Sequence, residues 1–360
     1  MNRFYDRCNR FLYLVQQLQP YRIALSSLAS GIILVLLSHS AHCSTAKPDA
    51  VYYWGVGDVS TCRANEILFF AGEATFREGE LVFQPVTLPE HFPRSAALTA
   101  VLRFSPPVLE RLLADDSRRE HIDAILQRLE RFSVRFDRSI ALQLDADCPT
   151  RLADDYLAFA SSLRVACPTD LSITITASWL EPSMLRRVFA TAIPAYAMLY
   201  TMAPGRDLDH WRGEVPEDLW HRALAHLGEV SEQTSADENR VTVVLPCYDL
   251  VTIYDDRGKR LCRHPRKDWL NDALTQPGAL HPRPSPGEPG IGSLETWTVM
   301  RTGRYGDHIL RAGSVIAREE FSYADWRAAR ATIRKASPHS RIGLYHVGNI
   351  DDTNPETEHD

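Results

Sequence analysis

The chain has 360 residues, of which 44% are hydrophobic and 24% are charged. This length and composition can bury a full core, and they exclude a globally disordered protein. The formal net charge of -6 is unfavourable for nucleic-acid binding, which needs a concentrated basic face, and the Lys and Arg residues are scattered along the chain. We therefore expect a globular protein without a nucleic-acid partner.

The amino terminus has the features of an export segment. Four Arg residues precede an apolar run over residues 23–37, and small and polar residues follow it. The run is about as long as the core of a secretory signal and short for a membrane span. We predict that residues 1–48 are a signal peptide or a membrane anchor. The remaining chain would then lie in the periplasm or cell envelope, with membrane contact only through this segment.

Export makes the cysteines informative. Five follow the export segment, with no Cys-x-x-Cys spacing and no His at metal-ligand spacing from them. We therefore expect no zinc site, and neither a metal nor a cofactor is predicted. Cys247 and Cys262 flank a short excursion of the chain, where we predict a disulfide; buried free thiols are the alternative.

Period-two alternation bounded by turn residues predicts eight principal strands. They span residues 50–56, 66–71, 97–104, 140–148, 171–179, 195–202, 241–246 and 341–347. Helical spacing predicts helices at residues 105–132, 152–164, 182–191, 216–230 and 323–335. Strands separated by such helices pair in parallel. Eight of them predict an α/β fold with one closed (β/α)8 barrel, of the TIM type, over residues 49–348.

The pattern breaks down after the seventh strand. Residues 248–307 form a long insert with a predicted hairpin turn at residues 255–258 and a run rich in Pro and Gly at residues 281–292. Insertions of this length usually have a role, and we expect this one to cover the mouth of the barrel. Extra strands are predicted at residues 81–86 and 309–317, and residues 349–360 are predicted to be an acidic tail.

The fourth strand carries the strongest functional signal. Its apolar residues share one face, while Gln143, Asp145 and Asp147 share the other. Two carboxylates on an inward face are costly unless they are used, and the carboxyl ends of barrel strands form the active face. We predict that Asp147 is a catalytic acid and that Asp145 is its partner, kept ionised by Arg103 of the neighbouring strand.

Other strand ends supply further candidates. Glu73 is a third catalytic carboxylate, and the predicted substrate-binding residues are Arg103, Tyr200, Tyr248, Trp179 and Trp54. Aromatic faces stack on sugar rings and carboxylates perform acid–base chemistry, so the predicted ligand is a polysaccharide or other glycan. No Gly-x-Ser-x-Gly motif is present, which disfavours an esterase.

Two motifs carry a resemblance to known proteins. Gln143-Leu144-Asp145-Ala146-Asp147-Cys148-Pro149 and Leu171-Ser172-Ile173-Thr174 resemble a bacterial family of exported barrel proteins that is described only as a domain of unknown function. More distantly, Asp145-x-Asp147 at the end of the fourth strand is similar to the chitinase-like glycosidase barrels, although the final Glu, their acid, is missing. The second resemblance implies a barrel with glycan-directed chemistry.

Three functions remain open at this point. The first is a glycoside hydrolase-like enzyme that acts on envelope or extracellular polysaccharide. The second is a barrel that binds glycan without cleaving it, which the missing Glu favours. The third is a metal-dependent hydrolase with Asp145 and Asp147 as oxygen ligands.

Overall fold

Eight parallel strands close into a barrel. The computed structural model describes residues 48–55, 59–60, 62–114, 117–199, 217–234, 241–265, 268–283, 293–305, 308–336 and 341–347. With strands numbered along the chain, the barrel consists of β1 (Ala50–Tyr53), β2 (Glu66–Arg77), β4 (Ala97–Phe104), β5 (Ala141–Ala146), β6 (Leu171–Thr176), β7 (Ala195–Met198), β8 (Val241–Tyr254) and β15 (Arg341–Val347). Each strand pairs with the next in this order, and β15 pairs with β1. The predicted (β/α)8 barrel is confirmed.

Helices surround the barrel. They are α1 (Pro106–Ala114), α2 (Arg118–Phe136), α3 (Ala153–Ala166), α4 (Pro182–Ala190), α5 (Glu217–Thr234) and α7 (Tyr323–Ala336), while α6 (Asp268–Thr275) belongs to the insert. The single helix predicted for residues 105–132 is two helices, α1 and α2. Among the described residues, no helix is both long and apolar enough to cross a membrane. The predicted export segment and acidic tail lie outside the described residues.

The main hydrophobic core lies between the barrel and its helices. On α2, Ile122, Ile125 and Leu129 recur at helical spacing and are buried against the strands. Side chains at alternate strand positions, such as Ile67 and Phe69 of β2, form the other half of this layer. Each fully buried side chain of this kind contributes roughly 1.5–3 kcal/mol, so this layer supplies most of the driving force for folding.

The barrel interior is partly polar, and a charged cluster closes its amino-terminal end. The carboxylate of Glu66 accepts hydrogen bonds from Thr99 Oγ1 at 2.6 Å, Tyr196 Oη at 2.7 Å and Arg341 Nη2 at 2.8 Å. These residues come from four different strands. The cluster therefore links four strands at the amino-terminal end of the barrel, here called the barrel floor. Because the floor is closed, a site is expected at the carboxyl-terminal end.

Asp49 joins the first barrel strand to the last. Its carboxylate accepts a hydrogen bond from the backbone N–H of Ile342 at 2.9 Å and is ion-paired with Arg334 of α7 at 3.2 Å. Its own backbone N–H donates to the Ile342 carbonyl oxygen at 3.0 Å. Because the termini of the barrel meet here, these contacts help to fix its closure.

The insert is a folded sheet rather than an irregular loop, and it extends past the predicted residue 307 to Phe321. Strand β8 continues without a break to Tyr254, and it is flanked by β9 (Arg260–Pro265) and β14 (Val315–Phe321). The antiparallel sheet then continues through β11 (Ser293–Val299) to β10 (Leu280–Arg283). A separate hairpin is formed by β12 (Gly303–Tyr305) and β13 (His308–Leu310).

Both extra strands predicted outside the barrel are present in altered form. The one predicted at residues 81–86 is β3 (Glu80–Phe83), which pairs antiparallel with the end of β2. The one predicted at residues 309–317 is two strands, β13 and β14. The glycine and polar residues between these two strands form a turn, which ends the first strand before the second begins.

The predicted hairpin turn at residues 255–258 is confirmed. Asp255 Oδ1 accepts hydrogen bonds from the backbone N–H groups of Arg257 and Lys259, both at 2.9 Å. Gly258 has a φ of +79°, which a residue with a side chain rarely adopts. The chain thus turns from β8 into β9 where the sequence indicated.

The predicted disulfide between Cys247 and Cys262 is wrong. The two thiols are not joined, and Cys262 pairs across the hairpin with Ile253, six positions along β8 from Cys247. At about 3.3 Å per residue this places the two cysteines roughly 20 Å apart, whereas the Cα atoms of a disulfide lie within about 7 Å. The prediction failed because β8 continues seven residues beyond Cys247, to Tyr254, before the chain turns back toward Cys262.

Candidate active site

Charged residues from three neighbouring strands meet at the carboxyl end of the barrel. The strand register pairs Glu73 of β2 with Arg103 of β4, and Arg103 with Asp145 of β5. Asp147 follows β5 and lies beside Arg103, with 3.9 Å between Oδ2 and Nη2. The Arg103 and Asp147 side chains are 46% and 62% exposed, so solvent and a ligand can reach both. The structure thus brings together all four charged residues predicted for the site.

A β-bulge turns Glu73 toward the barrel interior. The pairing of β2 with β4 skips one residue between Phe70 and Gly72, which shifts the alternation of side chains beyond that point. The Ala71 carbonyl oxygen freed by the bulge accepts hydrogen bonds from Arg128 of α2 at 2.8 and 3.1 Å. Without this extra residue, Glu73 would face the helices instead of Arg103.

Gly72→Ala should destabilise the protein by about 3 kcal/mol and should disturb the site. Gly72 has a φ of +136°, and a Cβ atom there would lie 2.9 Å from the Gln84 carbonyl oxygen. Gly79→Ala is the matched control, since Gly79 has a φ of +92° but a Cβ atom there would meet nothing within 4 Å; we expect a loss of about 1 kcal/mol there. Chemical denaturation measures both, and equal losses would show that the close approach at Gly72 is unimportant.

Asp145 is the electrostatically unusual member of the site. Burial raises its pKa to about 6; the positive charge of Arg103 opposes this shift, and the charge of Asp147 adds to it. A hydrogen bond from Thr174 Oγ1, 3.0 Å from Asp145 Oδ1, also favours the ionised form. The sequence predicts that Arg103 keeps Asp145 ionised; burial raises the pKa by more than Arg103 lowers it, so the carboxyl group retains its proton below about pH 6.

The raised pKa of Asp145 predicts how stability depends on pH. The folded-state pKa of about 6 lies above the unfolded value of about 3.9, so the stabilisation from protonation is complete below about pH 4 and is lost as pH rises through about 6. Asp145→Asn removes this dependence. The free energy of unfolding of the variant minus that of the wild type should therefore rise by up to roughly 3 kcal/mol between pH 4 and pH 7.5.

Urea denaturation across this pH range measures the effect. Asp123→Asn, at an exposed position of α2, is the control and should keep a constant difference from the wild type. A constant difference for Asp145→Asn as well would contradict the raised pKa.

Aromatic side chains line the adjoining part of the mouth, at strands β1, β2 and β15. The Trp54 ring lies 4.7 Å from the Phe70 ring at an interplanar angle of 30°, and 5.8 Å from the ring of Tyr345. Trp54 Nε1 is buried, and none of the residues that the structure describes accepts a hydrogen bond from it. A ligand hydroxyl group there would satisfy this donor, while the ring faces provide apolar contact.

A neutral hydrogen-bond network supports the site from below. The Tyr52 hydroxyl group donates to Gln143 Oε1 at 2.6 Å, and Gln143 Nε2 donates to Ser172 Oγ at 3.2 Å. Burial holds the pKa of Tyr52 well above its usual value, so the hydroxyl group remains a donor at neutral pH. The buried Gln143 on the polar face of β5 is therefore satisfied by its neighbours.

The aromatic residues predicted to bind substrate lie in different parts of the structure. Trp54 lies at the mouth, but Trp179 is 1% exposed in the outer core, where its Nε1 donates to the Cys148 carbonyl oxygen at 3.0 Å. It therefore presents no ring face to a ligand. Tyr200 lies outside the described residues, and Tyr248 is placed only by its backbone position in β8, opposite Phe321.

Sequence reasoning missed Tyr52, Thr174 and Tyr345 as members of the site. Thr174 belongs to a visible alternation of polar residues on β6, which is a usable signal. Tyr52 and Tyr345 occupy short, apolar strands whose two faces look alike in sequence. Only their pairing, with ring centroids 5.9 Å apart, shows that both face the interior.

Comparison with known proteins gives similarity of fold. No family model and no curated protein matches the sequence. The Bacillus cereus spore cortex-lytic enzyme SleL is similar, with a TM-score of 0.53 at 11% identity over 85% of this chain and 73% of that chain. A Nicotiana tobaccum class V chitinase, solved as a point mutant in complex with NAG4, has a TM-score of 0.52 at 9% identity over 87% and 96% of the two chains.

A GH18 chitinase from Cycas revoluta, solved in complex with allosamidin, also has a TM-score of 0.52 at 9% identity, over 84% of this chain and 95% of that chain. Identities this low establish the fold and leave the chemistry to the residues of the site. The predicted resemblance in fold to chitinase-like barrels is confirmed: the chain is a (β/α)8 barrel similar in fold to these two chitinases.

Proposed function

We propose that this chain is an exported, glycoside hydrolase-like enzyme that acts on a polysaccharide of the cell envelope or its surroundings. The observation that carries the proposal is the pair Asp145 and Asp147 beside Arg103 at the barrel mouth, which Trp54 and Tyr345 also line. Carboxylates next to ring faces are the chemistry that glycoside cleavage needs. The similarity of fold to chitinases supports this choice without deciding it.

Asp147 is the proposed acid because its exposed carboxyl group can reach a glycosidic oxygen atom. Asp145 lies two residues earlier on the same face and retains a proton up to about pH 6. On this proposal Asp145 passes that proton to Asp147, which donates it to the leaving oxygen. Proton donation to the leaving oxygen is expected to weaken as pH rises through about 6.

Glu73 is the proposed base. It is separated from Asp145 by one intervening strand, and two strand spacings correspond to roughly 10 Å between backbones. Inverting glycosidases hold their carboxyl groups roughly 6.5–9.5 Å apart, which leaves room for a water molecule, whereas retaining enzymes hold them about 5 Å apart. We propose that Glu73 activates the attacking water molecule, which gives inversion at the anomeric carbon.

Oligosaccharides of N-acetylglucosamine are the first substrates to test, since the similar chitinases were solved with NAG4 and with allosamidin. Release of reducing ends should be followed for the wild type, Asp147→Asn and Glu73→Gln. Proton NMR of the fresh product identifies its anomer. Cleavage by the wild type that both variants lose would support the proposal. Wild-type cleavage that survives in Asp147→Asn would exclude the assigned acid.

A glycan-binding protein without hydrolytic activity is the second candidate. The residue two positions after Asp147 favours it: Pro149 stands where the chitinase-like barrels carry the Glu that is their acid, and proline has no proton to donate. Calorimetric binding of an oligosaccharide without product formation would identify this function. Cleavage that is lost with chelator and restored by Mg²⁺ or Ca²⁺ would instead identify a metal-dependent hydrolase that uses the two Asp residues.

A further inference from the structure

We propose that the far end of the inserted sheet docks onto an anionic phospholipid surface. The surface comprises six exposed residues, here named the basic–apolar tip: Leu274, Met300, Arg301, Arg304, Ile309 and Arg311. The sequence predicts membrane contact only through residues 1–48, so this is a second contact. It does not depend on the proposed catalytic function.

The sheet topology brings these residues to one end of the insert. Val315 at the start of β14 pairs with Tyr254 at the end of β8 and with Thr298 near the end of β11. Val299 in turn pairs with Leu280 at the start of β10. The connections that carry the tip residues therefore leave the sheet at the same end. The barrel lies at the other end of β8, so the tip points away from the barrel.

The tip is held in place by hydrogen bonds. The buried Tyr305 of β12 donates its hydroxyl hydrogen to the Arg301 carbonyl oxygen at 2.8 Å. Arg304 and Ile309 are cross-strand partners on the outer face of the β12–β13 hairpin. The backbone N–H of Met300 donates to a carbonyl oxygen of the loop after α6 at 2.9 Å. The tip is thus a fixed surface rather than a set of independent side chains.

The apolar exposure at the tip is concentrated. Ile309 is 77% exposed, Met300 52% and Leu274 41%. Of the six large hydrophobic side chains that are prominently exposed in the described part of the chain, these three and Leu261 lie in the insert. Exposed aliphatic side chains that cluster on one surface indicate a contact with an apolar medium or partner.

The positive charge of the tip indicates an anionic partner. The described residues within 255–261, 270–279 and 300–313 include six Lys or Arg and three Asp, in a chain whose formal net charge is -6. One of these, Asp255, already bonds the amides of its own turn. Aliphatic side chains interspersed with Arg are suited to the interface of an anionic bilayer, where the aliphatic groups enter the apolar layer and the Arg side chains pair with phosphate groups.

Hydrogen–deuterium exchange of the full chain tests the inference, because it reports on the tip separately from residues 1–48. With vesicles of phosphatidylcholine and phosphatidylglycerol, peptides covering residues 300–311 should exchange about tenfold more slowly than with phosphatidylcholine alone. The double variant Arg301→Glu/Arg304→Glu and the double variant Met300→Ser/Ile309→Ser should lose this protection. Free glycerol phosphate should give none.

The chain offers matched controls. Val134→Ser/Val165→Ser removes two apolar side chains outside the insert that are 76% and 90% exposed, and Arg119→Glu/Arg131→Glu reverses two exposed charges on α2. Both should keep the protection. Several results would overturn the proposal: equal protection with neutral vesicles, protection by glycerol phosphate alone, or vesicle-bound protein whose tip exchanges freely. Protection that grows with protein concentration without vesicles would point to a second copy of the chain and would also overturn it.

Discussion

Asp147→Asn should lower the turnover of a glycan substrate by roughly 10²-fold or more, the usual loss when a general acid is removed. The melting temperature should barely change, because this side chain is 62% exposed and its contact with Arg103 is a long 3.9 Å. Ligand affinity should also be kept, since the amide retains the shape of the carboxyl group. The measurement is kcat and Kd for wild type and variant on the same oligosaccharide.

Asp145→Asn is the matched comparison on the same strand. It should also reduce kcat, but its signature is the pH profile: the wild-type rate falls as pH rises through about 6, and the variant lacks this inflection. Thr174→Val removes a hydrogen bond to the ionised form and should move the wild-type inflection to higher pH, while Thr174→Ser should restore it. An unchanged rate for Asp147→Asn would remove that residue from the chemistry.

Glu66→Ala should cost roughly 3 kcal/mol of stability, the largest loss we expect from a single polar residue. The carboxylate receives hydrogen bonds from Thr99, Tyr196 and Arg341 at the barrel floor, and its removal leaves a guanidinium group without its partner. Glu66→Gln should lose less, because the amide oxygen still accepts a hydrogen bond. Urea denaturation at pH 7 provides the free energies of unfolding.

Glu73→Ala controls for the loss of a Glu from the same strand. Glu73 is only partly buried at the open end of the barrel, so the expected cost is below about 1 kcal/mol. Equal losses at the two positions would mean that the floor cluster does not stabilise the barrel beyond an ordinary surface charge.

The contrast between Glu66 and Glu73 shows where sequence reasoning failed. Both are Glu residues on one strand, and the position of Glu73 at the strand end predicted its place in the site, but nothing in the sequence indicated the floor cluster. Glu66 finds its ion-pair partner Arg341 some 275 positions away. No local pattern encodes such a pairing, because it exists only once the barrel closes.

The sequence alone determined the barrel and its eight strands, and it predicted the candidate site at the carboxyl ends of those strands. Alternation of apolar and polar residues has a fixed period, and strands joined by helices can pair in only a few ways. It also located Asp145 and Asp147, since two acids on a buried strand contradict the pattern of their surroundings. These properties depend on neighbours in the chain, and so they can be read from it.

Tertiary structure decided what depends on distant neighbours. The bulge before Glu73 exists because Arg128 and the backbone near Gln84 accommodate it, and it decides which way that carboxylate faces. Burial of Trp179, the unbroken course of β8 and the raised pKa of Asp145 likewise arise from residues brought together by folding. Burial and strand pairing depend on residues that are distant in the chain, and for that reason the direction of Glu73 and the raised pKa of Asp145 were decided only by the tertiary structure.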